Sequence, residues 1–597
     1  MNTNGFRKDA DYWDRKLSCY LHDPPDKALR VPGHEERARI LADALGGVPY
    51  PDKNVYSRAD RIASGMDRTL LPGYSANQNE NGAVDFAAMP FLTHPTGKEP
   101  ALNVTLRESI PTGGLTDPIS EIIRKDMGER TDGVGLSERF SGRPEIFAAA
   151  RFHYYHHVFR KRLAEENVGG LGGLWHRIPA DTRIPDHSVW QHSALVSALS
   201  SCFELSKDSH ASILVFGITP VQDFLTRARK LRDLWTGSLI LSWLAFEGIR
   251  QVIYDLGSDH ILYPSLINQP LVEGLLADEL KLHWLKDSAT SSGVASLPNK
   301  FVCLVPAGGE EEAARRVEAA VRRAWADTGK SVLDFLPRQT GQDMYLRSQF
   351  ESQLAEFWSF HWAACPLLDL AAESGFKRLL HESVWSNPLE FLKASTEVEP
   401  RSLSEGGLYA VTHAVSQAFL AAGKTRRVDE RPEEEGIKCA LHGELEALRY
   451  QWKDGEDRNP RPRNDPFWRT FKSAWKPQSD FKPSERLSSV ALIKRILYRV
   501  CKEDPLHPLH SFFAKAERFP STTEMALHDW LESAAGKIMA HANTRDLGDW
   551  HRVRKLVSQW VHEREPDEAK GDTGPEHADM KDEEASALRR VLKDVTA

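Results

Sequence analysis

The chain has 597 residues, of which 41% are hydrophobic and 27% are charged, and its formal net charge is −8. These values predict a globular protein of about three to five domains and exclude a disordered, collagen-like or coiled-coil chain. The acidic balance argues against nucleic-acid binding through bulk charge, so such a partner would have to meet local basic patches.

Cysteine content and hydropathy indicate the compartment. The six cysteines are scattered and form no disulfide framework, which favours a reducing environment. The first residues, MNTNGFRKDADYWDRK, are polar and charged and lack the apolar core of a signal peptide. The longest apolar stretch, 234–249, is too short to span a bilayer and predicts a buried helix. We therefore expect a cytoplasmic protein without a membrane partner.

The predicted elements fall into three segments and a tail. Residues 1–205 are predicted to be mostly helical, with a loop-rich insert at 72–132 that is dense in Gly, Pro, Asn and Thr. Residues 206–335 alternate β-prone runs with helix-forming stretches, which is typical of a compact α/β or ferredoxin-like unit. Residues 336–560 are predicted to be mainly helical, and the charged tail at 561–597 is expected to be disordered. The predicted fold class is therefore α+β and multidomain.

A strand-to-helix turn opens the second segment. The β-prone run SILVFGI is followed by Thr-Pro, which starts a helix-forming stretch that continues to Ile249. Such a turn presents backbone amides that can meet a phosphate, and a basic stripe of Arg227, Arg229, Lys230 and Arg232 follows it. The candidate nucleotide-binding residues are Gly217, Pro220, Gln222 and Arg229. From the pattern alone, we favour the alternative of an amphipathic helix whose polar face is basic.

The most specific catalytic pattern is an adjacent histidine and aspartate in LHDPPDKAL at 21–29. His22 and Asp23 can offer an imidazole and a carboxylate to one metal ion, and a hydrolase needs further ligands from elsewhere in the fold. The run PADTRIPDHSVWQH at 179–192 adds His187 and His192. Further candidates are His34, Asp60, Asp181 and Asp186. The alternative is that Asp23 only caps a turn before the two prolines.

Three other motifs have structural interpretations. His153, His156 and His157 have helical spacing beside Arg160, Lys161 and Arg162, and we expect a solvated or RNA-facing helix side there. The stretch AGGEEEAAR at 307–315 is similar to a nucleotide-cyclase signature, but its acidic residues indicate a helix start. Cys439 and His442 have the spacing of half a zinc knuckle, but no second pair follows nearby, so zinc is not expected.

Taken together, several stretches resemble one family, the large subunit of type III-B (Cmr-type) CRISPR effector complexes, which is the Cas-ten polymerase-cyclase family. They occur in family order along nearly the whole chain, and the fourth is the most specific. The stretches are LHDPPDKAL, ADRIAS, PADTRIPDHSVWQH, GITPVQDFLTRARKLRDLWTGSLILSWL, ILYPSLINQPLV, LPNKFVCLVPA, KCALHGELEAL, ERLSSVALIKR and RFPSTTEMA.

The resemblance implies an N-terminal HD-type phosphohydrolase domain that cleaves single-stranded DNA with divalent transition-metal ions. His22 and Asp23 match the HD pair of the family, and His192 matches a later histidine of that site. Gln191 stands where an acidic residue is common, so one metal ligand is expected to be lost. The resemblance also implies a first palm domain at 206–335, followed by a helical region whose zinc staple is degenerate here.

In the family, a second palm carries a GGDD turn that holds Mg²⁺, and the two palms convert ATP into cyclic oligoadenylates when target RNA is bound. No GGDD occurs in this sequence. Because two-metal nucleotidyl transfer needs those carboxylates, we expect no cyclic oligoadenylate synthesis by this chain alone. ATP is expected at the palm only with a second palm, which is either encoded separately or lost.

The leading hypothesis is therefore a subunit of an RNA-guided antiviral defence complex. Its expected partners are other type III-B subunits, guide RNA and target RNA, with single-stranded DNA and a chain carrying the second palm as further candidates. The basic segment at 461–476 fits RNA or neighbouring subunits about as well as it fits a solvated loop. Two alternatives stay open: a catalytically dead scaffold of the same complex, and a free-standing metal-dependent phosphohydrolase.

Overall fold

The fold is described from a computed structural model. The described residues are 5–6, 8–30, 32–67, 86–87, 90–92, 102–103, 114–128, 135–140, 142–180, 187–286, 294–336, 343–398, 404–426, 433–453, 455, 457–475 and 480–514. The predicted tail at 561–597 and the stretch RFPSTTEMA lie outside this range.

Helices dominate the described part of the chain. They are α1 (Ala10–Tyr20), α2 (His34–Ala44), α3 (Lys53–Asp67), α4 (Thr116–Met127), α5 (Leu136–Arg139), α6 (Pro144–His153), α7 (Phe159–Glu165), α8 (Val189–Leu205), α9 (Gln222–Thr226), α10 (Leu231–Asp255), α11 (Pro270–Glu279), α12 (Glu310–Asp334), α13 (Asp343–Phe357), α14 (Glu373–Leu379), α15 (Glu382–Val398), α16 (Ser404–Gly407), α17 (Tyr409–Arg426), α18 (Pro466–Ala474), α19 (Ser489–Glu503) and α20 (His510–Ala514). The strands are β1 (Phe91–Leu92), β2 (Leu102–Asn103), β3 (Ala211–Thr219), β4 (Ile261–Tyr263), β5 (Lys300–Pro306) and β6 (Ser359–Pro366).

Four of the strands form an antiparallel sheet in the order β4-β5-β3-β6. The strands β3, β4 and β5 all lie in the second predicted segment, and β3 includes the β-prone run SILVFGI. The fourth strand, β6, lies beyond the predicted limit of that segment at 335, because the long hairpin of α12 and α13 separates it from the others in sequence. The predicted mixture of many helices with a small antiparallel sheet is confirmed.

Both faces of this sheet are buried, and the alternation of side chains along β3 decides which helices each face meets. Leu214 and Phe216 join the core that includes residues of α10 and α12. Ile213 and Val215 join a second core that includes residues of α3 and α8. The helices of the N-terminal segment therefore pack directly on the sheet, and any site that they carry is positioned by it.

The apolar run at 234–249 lies within α10 and is a buried helix, as predicted. The helix does not begin at Thr219–Pro220, however. A short helix, α9, and the residues Arg227 to Lys230 come first, and α10 begins at Leu231. The basic stripe is therefore not one face of one helix, because its residues are divided between a loop and the first turn of α10.

Two further local predictions can be compared with the structure. The helix start at AGGEEEAAR is confirmed, since Gly309 is the N-cap of α12 and three glutamates occupy its first turn. The insert predicted as loop-rich contains α4, whose residues Ile119, Ile123 and Met127 are buried at helical spacing. Among the helices that the structure describes, each is too short or too polar to cross a membrane.

The prediction for His153, His156 and His157 is wrong, because all three are buried. The chain forms a π-helical turn at Tyr154–Val158 between α6 and α7, which turns these side chains toward the core. His156 Nδ1 lies 3.0 Å from the hydroxyl of Tyr20, and His157 Nε2 lies 2.9 Å from the hydroxyl of Ser258. We call these three residues the core histidine triad.

Candidate metal centre

Three separate elements bring the candidate metal ligands together. His22 and Asp23 follow the C-terminus of α1, Asp60 lies on α3, and His192 lies in the first turn of α8. The helices α3 and α8 pack against each other, and α8 also packs against α1. Both helices share a core with residues of the sheet. Residues far apart in sequence are thus held beside the end of α1 by tertiary packing.

The side chains of His22, Asp60 and His192 offer ligand atoms that all lie within 4.8 Å of one another. His192 Nε2 is 3.0 Å from Asp60 Oδ1, and His22 Nε2 is 3.8 Å from the same oxygen. Within the described residues, this is the one group of three such side chains that could hold a metal ion. We call it the metal centre.

Hydrogen bonding sets the orientation of the His22 ring. Its Nδ1 lies 2.9 Å from the carbonyl oxygen of Cys19, which can only accept, so Nδ1 carries the proton. Its Nε2 is buried and has no hydrogen-bond partner, so its lone pair is directed into the centre. A backbone acceptor on one ring nitrogen and a metal on the other is the usual arrangement of a ligating histidine. Two imidazoles and a carboxylate therefore fit a divalent transition metal.

Charge at the centre suits a cation. Burial lowers the pKa of His22, which keeps the imidazole neutral and able to ligate. Burial would raise the pKa of Asp60, but the hydrogen bond from His192 and the nearby His22 ring outweigh it and lower the pKa. The side chain of Asp60 is 38% exposed, so the centre opens to solvent on the α3 side.

Asp23 lies beside the centre but has a partner of its own. Its Oδ2 is 2.6 Å from the ammonium of Lys27 and 3.5 Å from His22 Nε2. Burial would raise the pKa of Asp23, yet Lys27 and the two imidazoles hold it well below its usual range. The interpretation that Asp23 only caps a turn therefore leaves out its ion pair with Lys27.

Of the other proposed ligands, His187 lies near this group. The ring of His187 lies 6.2 Å from that of His192, measured between centroids, and His34 begins α2 outside the three-residue group. Asp181 and Asp186 fall outside the described residues. The side-chain oxygen of Gln191 accepts a hydrogen bond from the backbone N–H of Ser188 at 3.0 Å, so this residue forms part of the N-terminal cap of α8.

Asp60 is the member of the metal centre that the sequence could not distinguish from the other acidic candidates. It was one candidate among several acidic residues, since nothing in SRADRIAS separates a ligand from a surface aspartate. The helical spacing that puts Ala59, Ile62 and Ala63 in the core does place Asp60 next to the buried face of α3. Only the packing of α3 on α8 puts it beside His192.

The basic stripe predicted for nucleotide binding is engaged in ion pairs. Arg227 Nη2 is 2.5 Å from Glu444 Oε1, and Arg229 Nη1 is 3.5 Å from Glu485 Oε1. Buried Arg232 pairs with Asp480 at 2.6 Å. These arginines join the sheet segment to the later helical region.

Two lysines that the sequence did not indicate lie beside Gly217 instead. A Cβ atom placed on Gly217 would stand 3.8 Å from Lys424 Nζ and 4.0 Å from Lys300 Cγ. Lys300 donates a hydrogen bond to the side-chain oxygen of Gln417 at 3.0 Å, and no ion pair of either lysine occurs among the described residues. Pro220 and Gln222 lie further along, at the start of α9.

The half zinc knuckle and the basic segment are structural elements. The sulfur of Cys439 accepts N–H groups of Leu441 at 3.4 Å and of His442 at 3.3 Å, and Cys439 and His442 are both buried. In the basic segment, Phe467, Trp468 and several further aromatic residues are buried in the core, so its rings are unavailable for stacking on RNA bases.

Sequence comparisons show what the chain is similar to. Residues 213–330 match the family model described as CRISPR-associated protein Cmr2, N-terminal. The CRISPR system Cmr subunit Cmr2 of Pyrococcus furiosus is 28% identical over 369 residues, which cover 57% of this chain and 40% of that protein. The CRISPR system CMR subunit Cmr2 of Saccharolobus solfataricus is 34% identical over 278 residues, covering 43% of this chain and 24% of that protein. Over the aligned residues, the chain is therefore similar to Cmr2 proteins.

Solved structures show the same fold. A type III-B Cmr-beta structure of the apo state matches this chain with a TM-score of 0.55 at 17% identity, covering 98% of this chain and 60% of that one. A Cmr-beta structure bound to cognate target RNA matches with a TM-score of 0.54 at 18% identity and the same coverage. The family resemblance inferred from the motifs is confirmed. The chain aligns with less than half the length of both curated relatives.

Proposed function

We propose that this Cmr2-family chain is a subunit of a type III-B CRISPR antiviral effector complex. The support comes from the family match over 213–330 and from two relatives whose names are those of Cmr subunits. The proposed partners are other Cmr subunits, guide RNA and target RNA, and one structural neighbour is described as bound to cognate target RNA.

The proposed domains follow the predicted segments with one change. Residues 1–205 form an HD-type domain, and a palm domain begins at about 206 and extends through β6. Apart from the additional helices α9, α11 and α13, the chain order is β3-α10-β4-β5-α12-β6. This order and the sheet order β4-β5-β3-β6 support the palm proposal, because they match a ferredoxin-like unit. A mainly helical region follows the palm.

The chemistry that the geometry supports best is metal-dependent hydrolysis of phosphodiester bonds in single-stranded DNA. The convergence of His22, Asp60 and His192 on one point carries this proposal. A divalent transition metal held there would polarise a phosphoryl oxygen and lower the pKa of a bound water. His22 and His192 would supply ring nitrogens, Asp60 would supply a negative oxygen, and Cys19 would keep the His22 ring in its ligating orientation.

The nuclease proposal is tested with the full chain, Mn²⁺ and a labelled single-stranded DNA. His22→Ala and His192→Ala are expected to abolish cleavage, and EDTA is expected to do the same. Asp43→Ala, an exposed position on α2, is the matched control and should cleave like the wild type. Cleavage that survives both histidine substitutions would assign the activity to another site, and no cleavage by the wild type would favour the scaffold alternative.

Membership in a complex is tested by native purification of the tagged chain from its own cells. Sequencing of bound RNA and mass spectrometry of bound proteins should find guide RNA and several small subunits. Recovery of the chain alone, without RNA, would contradict the complex and leave a free-standing phosphohydrolase. His22→Ala should assemble normally, since the metal centre is proposed to act in hydrolysis rather than in assembly.

A second activity, nucleotide binding at the palm, is favoured by the two lysines beside Gly217. Lys300 and Lys424 are positive charges without a carboxylate partner among the described residues, which suits the phosphates of ATP. Binding is proposed only together with a second palm, and no cyclic oligoadenylate synthesis is proposed for this chain alone. ATP titration of the purified complex should lose affinity in Lys300→Ala and Lys424→Ala, whereas Arg315→Ala, an exposed control on α12, should not.

A further inference from the structure

Lys27 forms an ion pair with Asp23 at the edge of the metal centre. Its ammonium is 2.6 Å from Asp23 Oδ2, while the side chain of Lys27 is 27% exposed and that of Asp23 is 4% exposed. The two residues are four apart in the chain, on either side of the Pro24–Pro25 turn. Lys27 is thus the cation that neutralises this buried carboxylate.

The turn that carries Lys27 is held firmly. The backbone N–H of Lys27 donates to the carbonyl of Pro24 at 3.0 Å, and Lys27–Leu29 forms a single 3₁₀ turn. The next residue toward the N-terminus, Asp26, accepts a hydrogen bond from Arg37 Nε at 2.9 Å. Because these hydrogen bonds hold the backbone and the Lys27 side chain is partly exposed, rotation of that side chain toward solvent would release Asp23.

Asp23 is close enough to the centre for this pairing to matter. The oxygen that accepts the Lys27 ammonium, Oδ2, is also the one that lies 3.5 Å from His22 Nε2. The three-residue group of His22, Asp60 and His192 forms without Asp23. One carboxylate oxygen therefore faces two possible cations, the ammonium of Lys27 and a metal ion at the centre.

We propose that Lys27 is an internal counter-cation that competes with a divalent metal for Asp23 and thereby sets the metal affinity of the centre. The inference rests on the metal centre of the proposed function and adds a residue that limits its affinity. An ammonium near a dication repels it, and an ammonium bound to a ligand oxygen must be displaced before that oxygen can bind metal. Both effects weaken metal binding.

The test measures Mn²⁺ affinity of the full chain by isothermal titration calorimetry. Lys27→Met removes the charge at similar length, and we expect it to tighten Mn²⁺ binding at least about tenfold. Lys27→Arg keeps the charge and should stay within about threefold of the wild type. Lys53→Met is the matched control, because Lys53 is an exposed lysine that pairs with Glu35 at 2.7 Å.

A second neutral variant keeps the test decisive if Lys27→Met does not fold. Lys27→Gln retains a hydrogen-bond donor for Asp23 without the charge, and it should also tighten Mn²⁺ binding. Unchanged or weaker binding in the neutral variants would overturn the inference, because Lys27 would then only hold Asp23 in position. The rise in melting temperature on adding Mn²⁺ gives an independent readout and should be larger in Lys27→Met than in the wild type.

The two proposals fail in different ways. If the wild type binds Mn²⁺ and His22→Ala does not, but Lys27→Met equals the wild type, only the inference about Lys27 is wrong. If neither the wild type nor any Lys27 variant binds Mn²⁺, the metal centre itself is wrong. Binding that appears only in the neutral Lys27 variants would support the competition in its strongest form.

Discussion

Two groups of histidines lie in the N-terminal segment, and they differ in their surroundings although both are buried. The core histidine triad belongs to the π-helical turn and its flanks, whereas His22 and His192 belong to the metal centre. Both groups include ring nitrogens that are buried without a hydrogen-bond partner. A high density of histidines, or a ring nitrogen without a hydrogen-bond partner, therefore does not by itself distinguish a metal ligand from a core residue.

The charge around each group makes the difference. Burial lowers the pKa of all three triad histidines, and the charged neighbours that lower it further are the cations Lys16, Arg160 and Lys161. A metal ion would be repelled there. In the metal centre, by contrast, His22 and His192 share the carboxylate of Asp60, which is open to solvent. A carboxylate that lies between two imidazoles and is open to solvent is the feature that distinguishes the proposed metal centre from the triad.

The largest effect is expected on the triad side, at the buried ion pair of Lys16 and Asp259. Their charged atoms are 2.7 Å apart and both side chains are fully buried. Lys16→Met leaves the Asp259 carboxylate without its partner, so we expect the free energy of unfolding to fall by about 3–5 kcal/mol. Urea unfolding measures this. Arg315→Met, at an exposed pair, should change stability by less than about 1 kcal/mol, and a similarly small effect of Lys16→Met would contradict the prediction.

The second prediction separates the two groups by metal binding. Asp60→Ala should weaken Mn²⁺ binding about 100-fold, which corresponds to about 2.7 kcal/mol, because it removes the carboxylate that both imidazoles share. His157→Gln should leave Mn²⁺ affinity unchanged while lowering the melting temperature, since His157 is a core residue. Calorimetric titration and thermal unfolding of both variants decide the matter. Loss of Mn²⁺ binding in His157→Gln would mean that the groups are not independent.

The third prediction concerns pH. Burial and the nearby Lys16 lower the pKa of His153 to about 3, whereas the unfolded chain has a pKa of about 6.5. The unfolded state therefore binds more protons, so the contribution of His153 to stability is fully present above pH 6.5 and is lost as the pH falls toward 3. Between pH 6.5 and 5, the wild type should therefore lose about 1.4 kcal/mol more stability per pH unit than His153→Phe.

Urea unfolding of the wild type and of His153→Phe at several pH values measures this difference. Comparing the two proteins cancels the titration of the remaining groups, including Glu247, whose pKa burial raises to about 7. If the free energies of unfolding of the two proteins change equally with pH, the pKa of His153 is not lowered in the folded state, and the prediction is wrong.

The smallest effect is expected at Gln191. Gln191→Ala removes half of the capping box of α8 and should cost about 0.5–1 kcal/mol of stability, with Mn²⁺ affinity changed less than about threefold. Gln191→Glu can keep the capping box and should retain wild-type stability. A change in Mn²⁺ affinity of more than about tenfold in Gln191→Ala would make Gln191 part of the centre rather than part of the cap.

Local patterns predicted the elements that depend on neighbouring residues. The buried helix α10, the strands β3 and β5, and the start of α12 at Gly309 follow from runs of apolar residues and from capping chemistry within a few positions. The His22–Asp23 pair and His192 could be proposed from motifs. The core histidine triad was predicted wrongly, because helical spacing does not reveal a π-helical turn or which side of the helix is covered.

By itself, the sequence determined the family resemblance, the α+β class and two of the three residues of the proposed metal centre, because short motifs and apolar periodicity are local properties of the chain. The tertiary structure alone decided that Asp60 joins His192 across 132 positions and that Lys300 and Lys424 meet at Gly217. The physical reason is that these contacts arise where helices pack on the sheet. That packing depends on the shapes of whole buried faces, which no spacing of a few residues encodes.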